Sequence, residues 1–276
     1  MLDAQNGEVF LIRISAQAPP YAGSQSLEKR DPGSPSSASS NAPGRAFDLY
    51  EPPFEPKTRP MFVAENPARG STAPNIPDSY FDSFETSKYR SGNPVQRYLI
   101  RRFMEKLVAL FDRTAPASSV LELGCGEGFV SGQLSTRRPL ESYVGVDPNA
   151  VDLANLRAKF PQVQTHQGSI YDLSFLDRKF DLVVCAEVLE HLDEPGAALE
   201  QIVSVSPRWV ILSVPHEPWF CLSNLARGKN VRRLGNDEEH VNLWSRAAFA
   251  RTIEPYLNIE CHSSSYPWQL VLATPK

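Results

Sequence analysis

Two groups of residues in this chain could do chemistry at their spacing. Gly124, Gly126 and Gly128 stand at alternate positions in Glu122-Leu-Gly-Cys-Gly-Glu-Gly128. Glycines there free the backbone to take positive φ and let a ligand approach the main chain closely. Asp147 follows after about 20 residues, where a strand–helix–strand unit sets an acid against a ribose diol. A carboxylate accepts from both hydroxyls, so the residue type fits. The other reading of Asp147 is as a cap for the next helix. Further on, Glu187, Glu190 and His191 stand at i, i+3 and i+4, so a helical turn would put them on one face. They could hold a loop and bind a ligand by hydrogen bonds. Alternatively, His191 or Glu187 could be the general base for a hydroxyl, since imidazole titrates near the working pH.

The glycine spacing narrows the ligand. A dinucleotide fingerprint reads G-x-G-x-x-G, and here the third glycine arrives one residue early, which counts against an NAD-dependent oxidoreductase. No Lys-Ser/Thr pair follows, so the loop is not a P-loop.

These residues must be held by particular elements. Apolar runs at 118–123, 142–146, 162–166, 180–185, 208–213, 257–262 and 268–273 read as strands. Helical patterns fill most gaps, which predicts an α/β fold with a mostly parallel sheet covered on both faces. The glycines lie where the first strand turns into a helix, and Asp147 ends the second strand. Pro148-Asn149 opens a helix through Leu153, Leu156 and Phe160, with proline suited to a first turn. Another helix is predicted from Val95 to Phe111. The last two strands lie close together and predict a hairpin that supplies an antiparallel edge strand.

The chain resembles the class I S-adenosylmethionine-dependent methyltransferases of the small-molecule type. The resemblance rests on the glycine run, on Val144-Gly-Val-Asp-Pro148 and on Phe180-Asp-Leu-Val-Val-Cys-Ala-Glu-Val-Leu-Glu-His-Leu192, and it extends from about Tyr80 to the C-terminus. It implies a Rossmann-like fold of seven strands and S-adenosyl-L-methionine as cofactor. It also implies a donor site. Glu122, Gly124, Cys125, Gly126 and Gly128 would form the loop, and Asp147 with Pro148 would meet the ribose. Ser169 and Ile170 would meet the adenine, Ala186 would mark the exit of the fourth strand, and Tyr89 would contact the methionine moiety. Ser169 stands where many members carry an Asp, so its hydroxyl would grip the adenine amino group more weakly. Tyr89 could instead anchor a helix, and Glu122 could be buried with a structural partner.

Many small-molecule members carry a similar Glu-x-x-Glu-His run without a metal, and none is expected here. The alternative is that Glu187, Glu190, His191 and the distant His240 resemble the two-Glu, two-His set of small-RNA 3′-terminal 2′-O-methyltransferases. In those enzymes a divalent cation holds the terminal ribose hydroxyls.

Between the fifth strand and the helix near Ser245 lies an insertion of about 214–244, long enough to expect function from it. His216, Trp219, Phe220, Asn224 and His240 are candidates to line the acceptor, with core packing the other reading of Trp219 and Phe220. Arg227, Lys229, Arg232 and Arg233 form a basic cluster that could meet a phosphate or an anionic membrane surface, with a solvated surface the other reading of each; beside the apolar Trp219-Phe-Cys-Leu222 the cluster is compatible with a phosphorylated or lipid-linked acceptor.

Composition sets the outer limits. The chain has 276 residues and a formal net charge of −4, which gives no global footprint for nucleic acid. No apolar run is long enough for a spanning helix, and the N-terminus lacks the pattern of a secretory signal. Four cysteines without a C-x-x-C predict a reducing, cytoplasmic setting. Residues 1–75, rich in Pro and Ser, are expected to be disordered or loosely attached ahead of a catalytic domain at 76–276. Val9–Ile14 could form a short strand, and the prolines of 51–56 read as a linker or a ligand for a partner's groove. The expected activity is methyl transfer from the donor to a small-molecule or lipid- or sugar-linked acceptor, at oxygen. A donor-binding scaffold without turnover would carry the same glycines and Asp147.

Overall fold

The structure is a computed structural model that describes residue 74 and residues 76–276. The expectations for Val9–Ile14, for the prolines of 51–56 and for nearly all of residues 1–75 lie outside the described residues.

Seven strands form one sheet: β1 (Ser119–Leu123), β2 (Ser142–Asp147), β3 (Gln164–Gln167), β4 (Leu182–Ala186), β5 (Trp209–Pro215), β6 (Leu257–Ser265) and β7 (Trp268–Pro275). Their order is β3-β2-β1-β4-β5-β7-β6. The first five run parallel, and β7 is antiparallel to both β5 and β6. Every predicted strand is present. The expected C-terminal hairpin is present: β6 forms the edge, antiparallel to β7, which lies between it and β5.

The period of two along each strand builds a core on both faces. Val120, Leu182, Val184 and Ile211 face the cluster that holds α3 (Pro94–Arg113), α4 (Phe129–Leu134) and α5 (Ala150–Lys159). Leu121, Leu123, Val183, Cys185 and Leu212 face the cluster that holds α6 (Pro195–Val205) and α8 (Arg246–Ile253). Strands buried on both sides must be apolar throughout, which is why the first strand reads as one run.

Two local starts differ from the sequence reading. Pro148 precedes the helix rather than opening it: α5 begins at Ala150, and the Asn149 side chain caps it by accepting from the Val151 and Asp152 amides. The 214–244 insertion contains a helix, α7 (Trp219–Ala226), and a 3-10 turn at Val231–Arg233. Two short helices, α1 (Asp78–Asp82) and α2 (Ser87–Arg90), precede α3. The chain reverses its direction of winding between β1 and β4, so a crevice opens at the carboxyl ends of those two strands, where open α/β sheets bind ligands.

Candidate active site

The donor side is built from main chain. Gly124, Gly126 and Gly128 all take positive φ, at 72°, 49° and 88°. Gly128 is also the left-handed N-cap of α4, and a Cβ there would come within 2.9 Å of Leu156 Cγ. Asp147 lies at the tip of β2, fully buried. Its Oδ2 accepts from the Gly126 amide at 2.9 Å and its Oδ1 from the Asn149 amide at 2.8 Å. The helix is capped by Asn149, so the capping reading of Asp147 gives way to one in which its carboxylate ties the glycine loop to the strand. Each oxygen keeps lone-pair capacity for a further donor.

Glu122 is buried beneath the loop and accepts from Ser131 Oγ and from the Tyr143 hydroxyl at 2.7 Å. Burial pushes its carboxyl up to about 7 from 4.5. A raised carboxyl stabilises the fold while protonated and loses that contribution as pH climbs through the folded value. Between pH 4.5 and about 7 this loss is on the order of 3 kcal/mol. Glu122→Gln keeps an acceptor for both hydroxyls and does not titrate. Thermal unfolding of the variant is therefore expected to gain on the parent from pH 5 to pH 8; parallel curves across that range would remove the claim.

The front of the site is closed by a contact the sequence did not reveal. Glu127, inside the glycine loop, accepts from the Glu85 and Thr86 amides, each at 2.8 Å, and from Lys159 Nζ at 2.9 Å. Burial disfavours its charge, yet these bonds hold its carboxyl below the ordinary range. The segment joining α1 to α2 is thus fastened to the loop. Tyr89, on α2, stacks on Phe129 with ring centroids 3.9 Å apart, so its ring packs against the first residue after the glycines. Cys125 is buried under β2, Ala186 is half-buried at the end of β4, and Ile170 packs on the second core cluster. Ser169 is exposed, and its Oγ accepts from the Tyr171 amide at 3.2 Å.

The acceptor side gathers the acids and imidazoles. The Glu-x-x-Glu-His run is not an α-turn: Leu189–His191 form a 3-10 turn, and Glu187 before it has φ 59°. That left-handed backbone is uncommon for a residue with a Cβ. Ser213 Oγ donates to Glu187 Oε1 at 2.9 Å. The Glu190 carbonyl accepts from the Val241 and Asn242 amides at 2.9 and 3.0 Å, which brings His240 beside the turn from far along the chain. One ligand atom from each of Glu190, His191 and His240 lies within 4.8 Å of the others. His191 Nδ1 is 3.0 Å from the Glu239 carbonyl. A carbonyl only accepts, so the proton sits on Nδ1 and Nε2 presents its lone pair to the cluster.

Electrostatics sharpen the picture. Burial, then the nearby Glu187 charge, raises the Glu190 carboxyl well above the usual carboxylate range. Burial lowers both imidazoles, His240 to about 4 with His191 as the second cause, so both are neutral near pH 7. Glu190 Oε2 and His240 Nδ1 are buried without a hydrogen-bond partner. The Lys88 ammonium, which the sequence did not single out, faces Glu187 and Glu190 from α2.

The remaining acceptor candidates separate. Phe220 is half-buried against His240, with ring centroids 5.0 Å apart. Trp219 is exposed, so core packing does not account for it. Asn224 is buried and its amide is taken up in the loop: Nδ2 donates to the Gly235 carbonyl at 2.8 Å and Oδ1 accepts from Arg227 at 2.6 Å. His216 has Arg246, Glu217 and His262 as its charged and titratable neighbours, not the Glu190 cluster.

Comparison with known proteins agrees with this architecture. A methyltransferase domain model matches residues 95–256. A probable S-adenosylmethionine-dependent methyltransferase of Mycobacterium tuberculosis is 31% identical over 101 residues, 36% of this chain and 35% of that protein. The small RNA 2′-O-methyltransferase of Rattus norvegicus is 29% identical over 205 residues, 64% of this chain and 48% of that protein. The alignments therefore span about a third and about half of those relatives. The magnesium protoporphyrin IX methyltransferase of Synechocystis with bound SAH superposes with a TM-score of 0.55 at 19% identity, over 72% of this chain and 98% of that chain, which shows the shared fold. The glycine loop, the sheet order and the matched domain lead to one assignment: the chain belongs to the methyltransferase domain family, with its class I, Rossmann-like fold.

Proposed function

We propose that the chain transfers the methyl group of S-adenosylmethionine to a hydroxyl oxygen of its acceptor, and that Glu190, His191 and His240 hold a divalent cation at that hydroxyl. One observation carries this reading: three ligand atoms converge within 4.8 Å while Glu190 Oε2 and His240 Nδ1 are buried and unpartnered. A buried acceptor or donor without a partner costs roughly 1–3 kcal/mol, so such atoms call for a ligand. Two neutral imidazoles suit a borderline cation such as Zn²⁺, and the carboxylate also admits the harder Mn²⁺. A cation there supplies Lewis-acid activation of a bound hydroxyl.

The protein's own groups do the rest. Asp147 and the glycine loop fix the donor's ribose, and Tyr89 and Glu127 close the front over it. The sulfonium is already activated, so transfer is an in-line displacement that needs alignment above all. His191, with its proton on Nδ1, directs a lone pair inward. Burial, and then the Glu187 charge, favours the protonated form of Glu190 until a cation binds. The acceptor class we favour is a small molecule or a lipid- or sugar-linked intermediate. A 3′-terminal RNA ribose is the second reading, supported by the Glu/His set and by the name of the rat relative.

Calorimetry with Mn²⁺ and Zn²⁺ tests the cation, and donor turnover before and after chelation tests its use. We expect saturable binding, and chelation should abolish turnover until the metal is restored. A chelator-insensitive chain whose His240→Ala form keeps full turnover would remove the cation and leave His191 as a hydrogen-bonding group or base. Transfer to a metabolite extract with none to RNA separates the two acceptor readings. Donor binding without turnover on any acceptor would favour a scaffold.

A further inference from the structure

The 214–244 insertion concentrates exposed apolar and basic side chains in one short stretch. Among the described residues, the exposed large apolar side chains include Trp219 and Leu222 on α7, Val231 and Leu234 around the 3-10 turn, and Val241 and Leu243 beyond it. Leu234 is 77% exposed and Val231 58%. Scattered single apolar residues on a surface mean little, whereas a cluster within one short stretch marks a contact. From Pro218 to Asn236 there are four basic residues and no acid, in a chain whose net charge is −4. Arg227, Lys229, Arg232 and Arg233 are all exposed. Arg233 also meets Glu238 at 3.2 Å, an exposed pair of little strength.

The stretch is held in this display from within. Asn224 ties α7 to Gly235, and Gly235 fits so closely that a Cβ there would come within 2.1 Å of the Cys221 carbonyl oxygen. Asn230 and Leu234 both take left-handed backbone at φ 52°, an outlying conformation for residues that bear a Cβ. A fastened loop that turns an isobutyl side chain into solvent is a feature with a use. Trp, Leu and Val interleaved with Arg and Lys is the chemistry of an element that lies in the headgroup layer of a bilayer. Basic side chains meet the anionic lipid phosphates, and the apolar ones enter the acyl boundary. The inner side of the same helix carries Phe220 to His240.

We propose that this face, Trp219 to Leu234, docks on an anionic lipid bilayer, and that the acceptor is reached from that surface. No helix among the described residues is long and apolar enough to cross a membrane, and the contact proposed for this face is a peripheral one. The docking is independent of the cation proposed at Glu190, while the route of the acceptor rests on the methyl transfer proposed above.

Co-sedimentation of the full chain with vesicles tests it, using phosphatidylcholine alone and phosphatidylcholine mixed with phosphatidylglycerol. Binding is expected only to the anionic vesicles and should weaken with salt. Each neutralised basic residue should lower affinity roughly fivefold. Arg232→Glu with Lys229→Glu should abolish sedimentation while leaving the melting temperature unchanged, since neither exposed side chain holds the loop. Brominated lipid should quench tryptophan emission in the parent, and Trp219→Phe should bind yet lose most of that quenching. Three results would overturn the proposal: no sedimentation with anionic vesicles at low salt, binding unmoved by the charge reversals, or a dimer that Trp219→Ser with Leu222→Ser dissociates. Single-stranded RNA serves as a parallel probe; RNA binding abolished by the same reversals, with none to vesicles, would reassign the face to nucleic acid.

Discussion

Gly124→Ala is expected to lower stability by about 2–5 kcal/mol and donor affinity by more than tenfold. Two separate costs add. The residue has φ 72°, and a left-handed backbone costs an L-residue with a Cβ roughly 1–2 kcal/mol. The new methyl would also lie 2.3 Å from Val188 Cγ2, an overlap that only movement can relieve. Forced repacking in a dense core costs about 1–3 kcal/mol. Val188 is the N-cap of the 3-10 turn that carries Glu190 and His191. The contact therefore joins the donor loop to the acceptor cluster, and pushing one displaces the other. Gly124→Ala with Val188→Ala separates the two costs. The double variant should unfold later than Gly124→Ala alone and still earlier than Val188→Ala alone, because space returns but the backbone strain stays. Melting curves for the three variants, with calorimetric titration of S-adenosylmethionine, give the comparison. A double variant no more stable than the single one would show that Val188 does not set the spacing.

The same contact explains what could be read along the chain and what could not. Apolar runs specify strands locally, so the seven strands, the glycine turn and the acid at the tip of β2 were all legible. The period of two in Val120-Leu-Glu-Leu123 and its neighbours already assigns the faces. Glu127 could not be singled out, because its partners, Thr86 and Lys159, are remote in sequence. Lys88 sits in a polar stretch and acquires meaning only when α2 lies over the cluster. The i, i+3, i+4 spacing of Glu187, Glu190 and His191 suggested a helical face. The backbone reaches a cluster by another route, a left-handed residue followed by a 3-10 turn, which spacing alone does not encode. For Trp219 the sequence left two readings open, acceptor lining and core, and its exposure removes the second. An aromatic residue in an apolar run is usually core, and its exposure follows from how Asn224 and Gly235 fold the loop beneath it.

Glu190→Gln is expected to lower turnover by about a hundredfold or more, given that even outer-shell partners of metal ligands are typically worth 10–100-fold, while raising the stability of the chelated protein. The two effects share one origin. Glu190 is buried, its Oε2 has no partner, and burial with the Glu187 charge raises its carboxyl. A carboxyl raised in the fold stabilises it while protonated, and that contribution is lost as pH rises through the raised value. Glutamine does not titrate, so its advantage should be absent in acid, appear above the ordinary carboxylate range and grow towards alkaline pH. Added Mn²⁺ should reverse the order. A ligand at a hundred times its dissociation constant stabilises by about 2.7 kcal/mol, and the parent has the anionic oxygen that the variant lacks. Binding must also displace the Glu190 proton, so parent affinity should rise with pH. Melting curves at pH 5 and pH 8, each with chelator and with Mn²⁺, contain all four comparisons. A side chain kept for packing alone would give a variant that is less stable at both pH values and indifferent to metal. A side chain kept for chemistry gives up stability until its ligand arrives, and the crossing of the two curves on adding Mn²⁺ distinguishes the cases.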